Sequence, residues 1–560
     1  MYWVYDSHIS NLVFLKRQYI QKGKKMDKPI KIKGSVISLT FIAVISALVV
    51  VGLYFHEPWF DEAQAYLIAR DASWHDILFF WTHYEGHPPL WHIILKFTIM
   101  LGLPYETALK SVNFIFFEAV LFIIEFRSPF SRITKTIIPL SYYMLYQNSV
   151  ISRPYMLLML AVLLTAMFYK DRYNKPVRYC LSLMLMCALH SYGIAFAGGI
   201  VIADLISDAV HEHSIKKCVM RIINNKKLLV FYTVLLAFAV FLMIDIIPRN
   251  DAYALQKEKH YSYFICYLLS FFFIPSETLF TSFSSNVELM QSEINPLYEV
   301  LSAALISSVI WICLFAVCKK RKMLCELFVP FCCIAFLTSV YAMPRHYCIF
   351  LYFSLFILWT ASDKEAVEIS EFGEKLKKIG ISPSLTKKIA VGAAAVFTAV
   401  NLYWSGFCYY SDIRGKYFPG RDFAEWIKEH DLSEKRFLAA WDQTVSGTCI
   451  SANAYFENVF YYAPFDEYAF LTHITHSNDE IKHEVEAIKA EAEPDFIICE
   501  APAQWIDIRN KLDLKNKYTA VAFSENSSMV YKNKIETIEL YVLCTDETYK
   551  KLYGKEYSIL

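Results

Sequence analysis

A chain of 560 residues is too long for one ordinary soluble domain, and its 56% hydrophobic and 16% aromatic residues exceed the usual content of globular proteins. This composition indicates a polytopic α-helical membrane protein. The formal net charge is +1, so the overall charge gives no reason to expect a nucleic acid or an acidic partner, and only the positions of the charges along the chain are informative.

The first 34 residues are basic, with eight Lys or Arg residues against Asp6 and Asp27. The apolar run 35–55 follows, and because no small-residue cleavage site comes after it, we expect an uncleaved first membrane span instead of a signal peptide. Positively charged segments stay on the cytoplasmic side of a membrane. The sequence therefore predicts a cytoplasmic arm at residues 1–34 and a plasma-membrane protein whose next residues lie outside.

The outer loop 56–106 concentrates polar residues at this face. Asp61 and Glu62 stand just after the first span at the predicted start of a helix, and Glu85 and His87 follow in a short turn before a proline pair. Carboxylates favour a helix N-terminus electrostatically, and an Asp can cap its exposed N–H groups, so helix capping alone would explain the first pair. Titratable groups gathered at a membrane surface favour a functional role, more strongly for Asp61 than for Glu62.

The apolar piece 90–103 is shorter than the ~20 residues that a span requires, and we interpret it as an interfacial or re-entrant helix. Basic residues on alternate sides of the later apolar runs predict about eleven spans in a membrane domain at 35–404. After the first span, these runs are 107–126, 136–151, 155–169, 179–191, 193–207, 228–247, 297–318, 324–342, 347–361 and 389–404.

Three turns between the predicted spans carry polar residues on the same face as Asp61. Arg153 and the pair Arg345-His346 lie in two of these turns, and His190 lies in the third. Arg153 could be a snorkelling anchor, but an Arg on the outer face would also bind an anionic headgroup well. A guanidinium beside an imidazole suits a phosphate or pyrophosphate, whereas His190 is as easily a packing residue. No residues have the spacing of a dedicated metal site.

The tail 405–560 is polar, and its helical and strand-like patterns predict a small extracytoplasmic α/β domain. We expect a helix at 422–429 and strands at 437–441, 496–499, 518–523 and 529–532. The tail contains no glycine-rich phosphate loop, and its role looks accessory. Four cysteines, Cys408, Cys449, Cys499 and Cys544, could pair in an oxidising compartment, but their positions favour no connectivity, and we predict no disulfide.

The order of these motifs resembles a known family. An outer Asp-Glu pair after the first span, a His-Pro-Pro turn, an Arg153-Pro154-Tyr155 turn and a late Arg-His turn are similar to the polyprenyl-phosphate-dependent membrane glycosyltransferases of GT-C class. Within that class the likeness is to the protein-mannosyltransferase-like family, which includes the aminoarabinose transferase of lipid A. It covers residues 35 to about 361, and its most specific part is the stretch 59–91.

The resemblance implies a hexosyl-type transferase with a lipid-linked sugar donor and an acceptor on the outer face, which is a protein, a lipid or a polysaccharide of the cell envelope. Asp61 and Glu62 are then the catalytic candidates, and Asp61 takes the proton of the acceptor hydroxyl. The donor and acceptor would be bound by Glu85, His87, Arg153, Tyr155, His190, Arg345 and His346. No cofactor is required by this scheme, and the need for a divalent metal ion is left open.

Two other classes of protein compete with this interpretation. A transporter or flippase for a lipid-linked or anionic substrate would also place ionisable groups along a path, but inverted repeats and broken mid-membrane helices are not evident in the sequence. A surface receptor would explain the tail but not the acidic loop. Bound polyprenyl phosphate in the purified protein would best discriminate among them.

Overall fold

The computed structural model of the chain describes residues 32–252, 260–284, 296–364, 383–439, 443–462 and 477–558. Nearly all of the predicted basic arm 1–34 therefore lies outside the described residues. The chain divides into an N-terminal unit, residues 1–47, and a main unit, residues 48–560. The candidate site belongs to the main unit.

Six helices among the described residues are long and apolar enough to span a membrane. A helix of 20 residues is about 30 Å long, which matches the hydrocarbon thickness of a bilayer. These helices are Ile32–Phe55, Tyr105–Phe126, Ser191–His211, Lys226–Asp245, Leu297–Lys320 and Pro383–Arg414. The architecture is that of a multi-pass α-helical membrane protein.

Shorter helices connect the long ones and pack against them. The predicted interfacial piece forms the Leu90–Met100 helix, whose 11 residues extend only about 16 Å. The other short helices before the tail are Phe60–Asp71, Trp74–Phe79, Thr82–Glu85, Arg132–Ile137, Tyr155–Tyr169, Pro176–Cys187, Ile215–Asn224, Tyr263–Phe272, Ile274–Leu279, Leu324–Val340 and Cys348–Asp363.

One predicted span, 136–151, is not a continuous helix. The Arg132–Ile137 helix gives way to a 3₁₀ turn at Ile138–Leu140 and then to a π-helical turn at Tyr143–Gln147. Pro139 lies within the 3₁₀ turn and cannot donate a backbone hydrogen bond, which interrupts the helical ladder. Hydrophobicity alone predicts an apolar segment here, but it does not predict this change in helix type.

The tail contains a five-stranded mixed sheet in the order β2-β1-β3-β5-β4. Its strands are β1 (Phe437–Ala439), β2 (Tyr461–Tyr462), β3 (Phe496–Cys499), β4 (Tyr518–Tyr531) and β5 (Lys534–Thr545). The helices of the tail are Gly420–Glu429, Gln443–Asn453, Asn478–Lys489, Pro502–Leu512 and Asp546–Tyr553. Strand β1 pairs in parallel with β2 and β3. Parallel neighbours need a crossover connection, usually a helix, and the helices of the tail provide these connections.

Strands β4 and β5 form a long antiparallel hairpin in which Tyr531 pairs with Lys534. The sequence pattern predicts two separate strands, 518–523 and 529–532, but the structure has the single strand β4 over this range. Strand β5 is not predicted from the sequence. The polar segment between the two predicted strands continues the ladder because β5 covers it on one edge. The four tail cysteines are buried and free.

The tail packs on the segments that carry the acidic motif. Arg421 binds both carboxylate oxygens of Glu106, at 2.8 and 2.7 Å, and Ser451 Oγ donates a hydrogen bond to the Pro58 carbonyl at 2.9 Å. A bidentate Arg–carboxylate pair fixes orientation as well as distance. The tail is thus built into the same end of the molecule as the first outer loop.

Candidate functional site

The Phe60–Asp71 helix begins with the acidic pair, and both carboxylates are buried, Asp61 at 2% and Glu62 at 1% exposure. Glu62 is surrounded by donors. Its Oε2 atom accepts hydrogen bonds from His56 Nε2 at 3.0 Å and from the Trp59 backbone N–H at 3.2 Å. Its Oε1 atom accepts from the Ser152 backbone N–H at 2.6 Å. Glu62 therefore ties the turn that contains Arg153 to the start of the helix.

Asp61 faces two guanidinium groups. Its Oδ2 atom lies 3.0 Å from Arg345 Nη2 and 3.9 Å from Arg153 Nη2, and Arg153 also donates to the Asp61 backbone carbonyl. The Arg345 guanidinium stacks over the Trp59 ring at 4.6 Å from its centroid. Two positive charges thus converge on one carboxylate in a largely desolvated place, where electrostatic interactions are stronger than in water.

Arg153 connects this pair to the Glu85–His87 turn. Its Nη2 atom lies 3.3 Å from His87 Nε2, and because a guanidinium can only donate, this ring nitrogen is the acceptor. Burial lowers the pKa of His87 well below its usual value, Arg153 lowers it further, and Glu85 opposes the shift. Glu85 accepts a hydrogen bond from Gln64, and its Oε2 atom lies 3.4 Å from His87 Nε2 and 3.7 Å from His92 Nε2.

His190 and His346 complete the cluster, with ring centroids 5.7 Å apart. Tyr155 lies between the turns, with its ring centroid 5.5 Å from that of His190 and 6.0 Å from that of His346. The Tyr192 and Met343 backbone N–H groups donate to the Nδ1 atoms of His190 and His346, at 3.2 and 3.1 Å. In each neutral imidazole the proton then resides on Nε2.

Both of these histidines are held in the neutral form. Burial, together with the charges of Arg153 and Arg345, lowers the pKa of His190 to about 3. Burial and the adjacent Arg345 lower the pKa of His346 well below its usual value. Each ring is therefore a hydrogen-bond donor and not a cation, and the charge of the Arg345-His346 turn comes from Arg345 alone.

A cleft of about 450 Å³, open solvent included, adjoins this cluster. Arg153 and Arg345 line it together with residues from several parts of the chain, which are Trp59, Gln147, Ile151, Tyr155, Tyr417, Met529, Val530 and Tyr531. The nine predicted site residues therefore lie in one contiguous group.

Several residues of the site do not stand out in the sequence. His56 lies beside Glu62, with its Nδ1 atom 3.5 Å from Asp412 Oδ2, and burial lowers its pKa while Glu62 and Asp412 raise it more, to about 9. Gln64 shares a helix face with Asp61 at a spacing of three residues, a signal that helical periodicity could have provided. Tyr531 gave no such signal, because its partners Tyr143 and Pro344 lie far away in the chain.

No group of three His, Cys, Asp or Glu side chains within the described ranges is arranged to hold a metal ion. The Glu85 carboxylate lies beside two histidines, with its Oε2 atom 3.4 Å from His87 Nε2 and 3.7 Å from His92 Nε2.

Comparison with known proteins finds no match by sequence and a distant similarity by structure. No protein-family model matches the chain, and no curated protein matches it. Among solved structures, the chain is similar to the crystal structure of ArnT from Cupriavidus metallidurans bound to undecaprenyl phosphate, with a TM-score of 0.39 and 11% sequence identity. The similarity covers 90% of this chain and 97% of that chain. Function has to be argued from the residues of the site.

Proposed function

We propose that this chain is a membrane glycosyltransferase that moves a sugar from a polyprenyl-phosphate-linked donor to an acceptor on the extracytoplasmic face. The observation that supports it best is the buried Asp61 carboxylate, which lies 3.0 Å from Arg345 and 3.9 Å from Arg153 beside a cleft. A base and a phosphate-binding pair in one cleft are the groups that such a transfer requires.

The two arginines are suited to the phosphate of the donor. Their guanidinium groups lie 3.0 Å (Arg345) and 3.9 Å (Arg153) from the Asp61 carboxylate, so an anionic phosphate that enters beside them could replace this carboxylate as the partner of Arg345. Guanidinium groups bind phosphate oxygens through paired N–H donors. The neutral imidazoles of His190 and His346 would add N–H donors without further charge, and the Tyr155 ring would pack beside them.

Asp61 is the proposed general base. When the donor phosphate binds Arg345, this guanidinium exchanges its ion pair with Asp61 for one with the phosphate, which leaves the carboxylate available to the acceptor. The acceptor hydroxyl attacks the anomeric carbon, its proton passes to Asp61, and the bond between that carbon and the phosphate oxygen breaks. The polyprenyl phosphate leaves with the electron pair, and Arg153 and Arg345 stabilise its charge.

The sequence predicts a catalytic role for Glu62, but in this proposal Glu62 has a different role. Donors from three groups already occupy its two oxygens, so accepting a further proton from a substrate would disrupt the turn that holds Arg153. We therefore assign Glu62 a positioning role. Glu85 and His87 would support Arg153 from the other side.

The proposed topology retains the predicted plasma-membrane location, a cytoplasmic N-terminus, about eleven spans and an extracytoplasmic tail. Among the described residues, six helices are long enough to cross by themselves, and shorter apolar helices such as Tyr155–Tyr169 would supply the remaining spans. A helix of 15 residues is about 22 Å long, and local thinning of the bilayer can accommodate such a mismatch.

Replacing Asp61 tests the proposed function. In Asp61→Asn the shape is retained but the proton acceptor is lost, so we expect transfer to fall by roughly 10²- to 10⁴-fold. Asp71→Asn, the same change at the other end of the same helix, is the matched control and should transfer sugar at the wild-type rate. The assay uses purified protein in nanodiscs, a panel of polyprenyl-phosphate sugars, and membrane extract as the source of acceptor.

Two results would contradict the proposal. Transfer by Asp61→Asn at near the wild-type rate would reduce Asp61 to a structural residue. A wild-type protein that transfers no sugar from any donor of the panel, yet moves the lipid-linked sugar across a vesicle membrane, would instead identify a transporter.

A further inference from the structure

The tip of the β4–β5 hairpin is buried in the helical part of the main unit. Lysines at hairpin tips are normally solvated, but Lys532 has 0% exposure and a left-handed backbone conformation, with a φ of +55°. A left-handed non-glycine residue and a buried charge each cost free energy. Both persist here because the surrounding helices hold the tip in place.

Lys532 is anchored by several partners. Its Nζ atom donates to the backbone carbonyls of Glu277 and Thr281, lies 3.5 Å from Glu277 Oε1, and lies 4.4 Å from the centroid of the Trp404 ring. Burial lowers its pKa to about 8 and Glu277 opposes the shift, so the ammonium group stays charged at neutral pH. The backbone of Lys532 also donates to the Tyr142 hydroxyl at 3.0 Å.

Tyr531, the residue before this anchor, reaches the turn that carries Arg345. Its hydroxyl lies 3.1 Å from the Pro344 carbonyl oxygen and 2.8 Å from the Tyr143 hydroxyl, which itself lies 3.2 Å from the same carbonyl. Each hydroxyl has one proton, so one of them donates to Pro344 and the other donates to its neighbour. The hairpin thus fixes the peptide that precedes Arg345.

The same hairpin forms one side of the cleft. Met529, Val530 and Tyr531 line it together with Trp59 and Arg345. A small rotation of the Pro344–Arg345 peptide would move the guanidinium, which sits at the end of a long side chain, away from the cleft. Misplacement of a binding group by about 1 Å is sufficient to impair catalysis strongly.

We propose that the β4–β5 hairpin of the tail is a positioning element of the active site, in which Tyr531 holds the Pro344–Arg345 turn so that Arg345 can bind the phosphate of the lipid-linked donor. This inference rests on the proposed function for the identity of the ligand. In this arrangement the tail has a role in substrate binding, whereas the sequence alone predicts an accessory tail.

The test is Tyr531→Phe, which keeps the ring and its packing against Tyr142 but removes the hydroxyl. We expect the affinity for a polyprenyl phosphate of defined length, measured with the full chain in nanodiscs, to weaken by roughly three- to ten-fold, as for the loss of one hydrogen bond. Amide exchange should become faster in residues 345–348 by more than in the rest of the chain, and the loss of a buried hydrogen bond should lower the melting temperature only slightly. Tyr541→Phe is the control, because its hydroxyl bonds to Glu539 on the exposed part of β5 at 2.8 Å.

The outcomes separate this inference from the proposed function. If Tyr531→Phe binds the polyprenyl phosphate as tightly as the wild type and Tyr541→Phe do, the hairpin does not position Arg345 and the inference is wrong, whether or not amide exchange changes. If the wild type binds no polyprenyl phosphate at all, the proposed function is overturned and the inference falls with it.

Discussion

Asp61 and Glu62 are adjacent carboxylates, and their surroundings assign them different tasks. Glu62 receives hydrogen bonds from three donors on two other segments, whereas the Oδ2 atom of Asp61 is paired with the mobile end of a long side chain, Arg345. A guanidinium can move to a substrate phosphate more readily than a backbone N–H can leave its acceptor. This difference at the residue scale favours Asp61 as the group that meets a substrate.

His56 should make the stability of the protein depend on pH. Its pKa in the folded protein is raised from 6.5 to about 9, so the folded state binds a proton more tightly than the unfolded state. The stabilisation is fully present below pH 6.5 and is lost as the pH rises through 9. We expect wild type to melt at a higher temperature than His56→Gln at pH 6, and this difference to shrink toward pH 9.5.

The control for this measurement is His75→Gln, because the His75 side chain is 77% exposed. It should show no such convergence with the wild type. A constant difference in melting temperature between wild type and His56→Gln across this pH range would mean that His56 is neutral in the folded protein and pairs with Glu62 without charge.

At the scale of elements, two helices position His190 and His346. The Ser191–His211 helix begins directly after His190, and the Leu324–Val340 helix leads into the turn that contains His346. The two helices approach closely where Gly199 meets Pro330, since a Cβ atom at Gly199 would lie 2.5 Å from Pro330 Cα. The absence of a side chain at Gly199 therefore sets the spacing of the two helices.

Alanine at Gly199 should separate these helices. The clash is with backbone that cannot rotate away, so we expect Gly199→Ala to lose about 1–3 kcal/mol, the usual cost of overpacking, and to lower the melting temperature. Gly198→Ala is the matched control, because a Cβ atom there meets nothing within 4 Å while the gain in helix propensity is the same. Equal melting temperatures for the two variants would contradict the close approach.

At the scale of the whole molecule, the tail and the site occupy the same end of the helices. The hairpin contacts the Pro344–Tyr347 turn, and Arg421 binds Glu106 beside the first outer loop. The Tyr155–Tyr169 helix starts at the site, and Lys175 follows its far end, about 22 Å away along the helix axis. In the proposed orientation the tail and Asp61 lie on one side of the membrane and Lys175 lies on the other.

The predicted orientation can be checked by labelling intact cells. Cysteines introduced at His75 and Asp479, whose side chains are 77% and 93% exposed, should react with a membrane-impermeant maleimide. A cysteine at Lys175, 62% exposed, should react only after permeabilisation. Labelling of Lys175→Cys in intact cells with protection of the other two positions would reverse the orientation. The parent chain, with its native cysteines, provides the background.

The amino-acid sequence by itself determined which segments are apolar and where the polar residues fall between them. Hydropathy and charge are properties of single positions along the chain, so they sufficed to predict the long helices and the short Leu90–Met100 helix. They also placed Asp61 at the start of a helix and Arg153, His190 and Arg345 in connecting turns. The same reasoning predicted strands in the tail, because alternation of apolar residues is also a local signal.

Only the tertiary structure decided which of these groups meet. Three contacts of the site join residues that are far apart in the chain. They are the ion pair between Asp61 and Arg345, the hydrogen bond that Glu62 accepts from the Ser152 backbone N–H, and the contact of the Tyr531 hydroxyl with the Pro344 carbonyl. Such contacts depend on how helices pack and on where a hairpin docks, and no local pattern encodes them. Strand β5 was missed for the same reason: its pairing with β3 and β4 stabilises it, more than its own composition does.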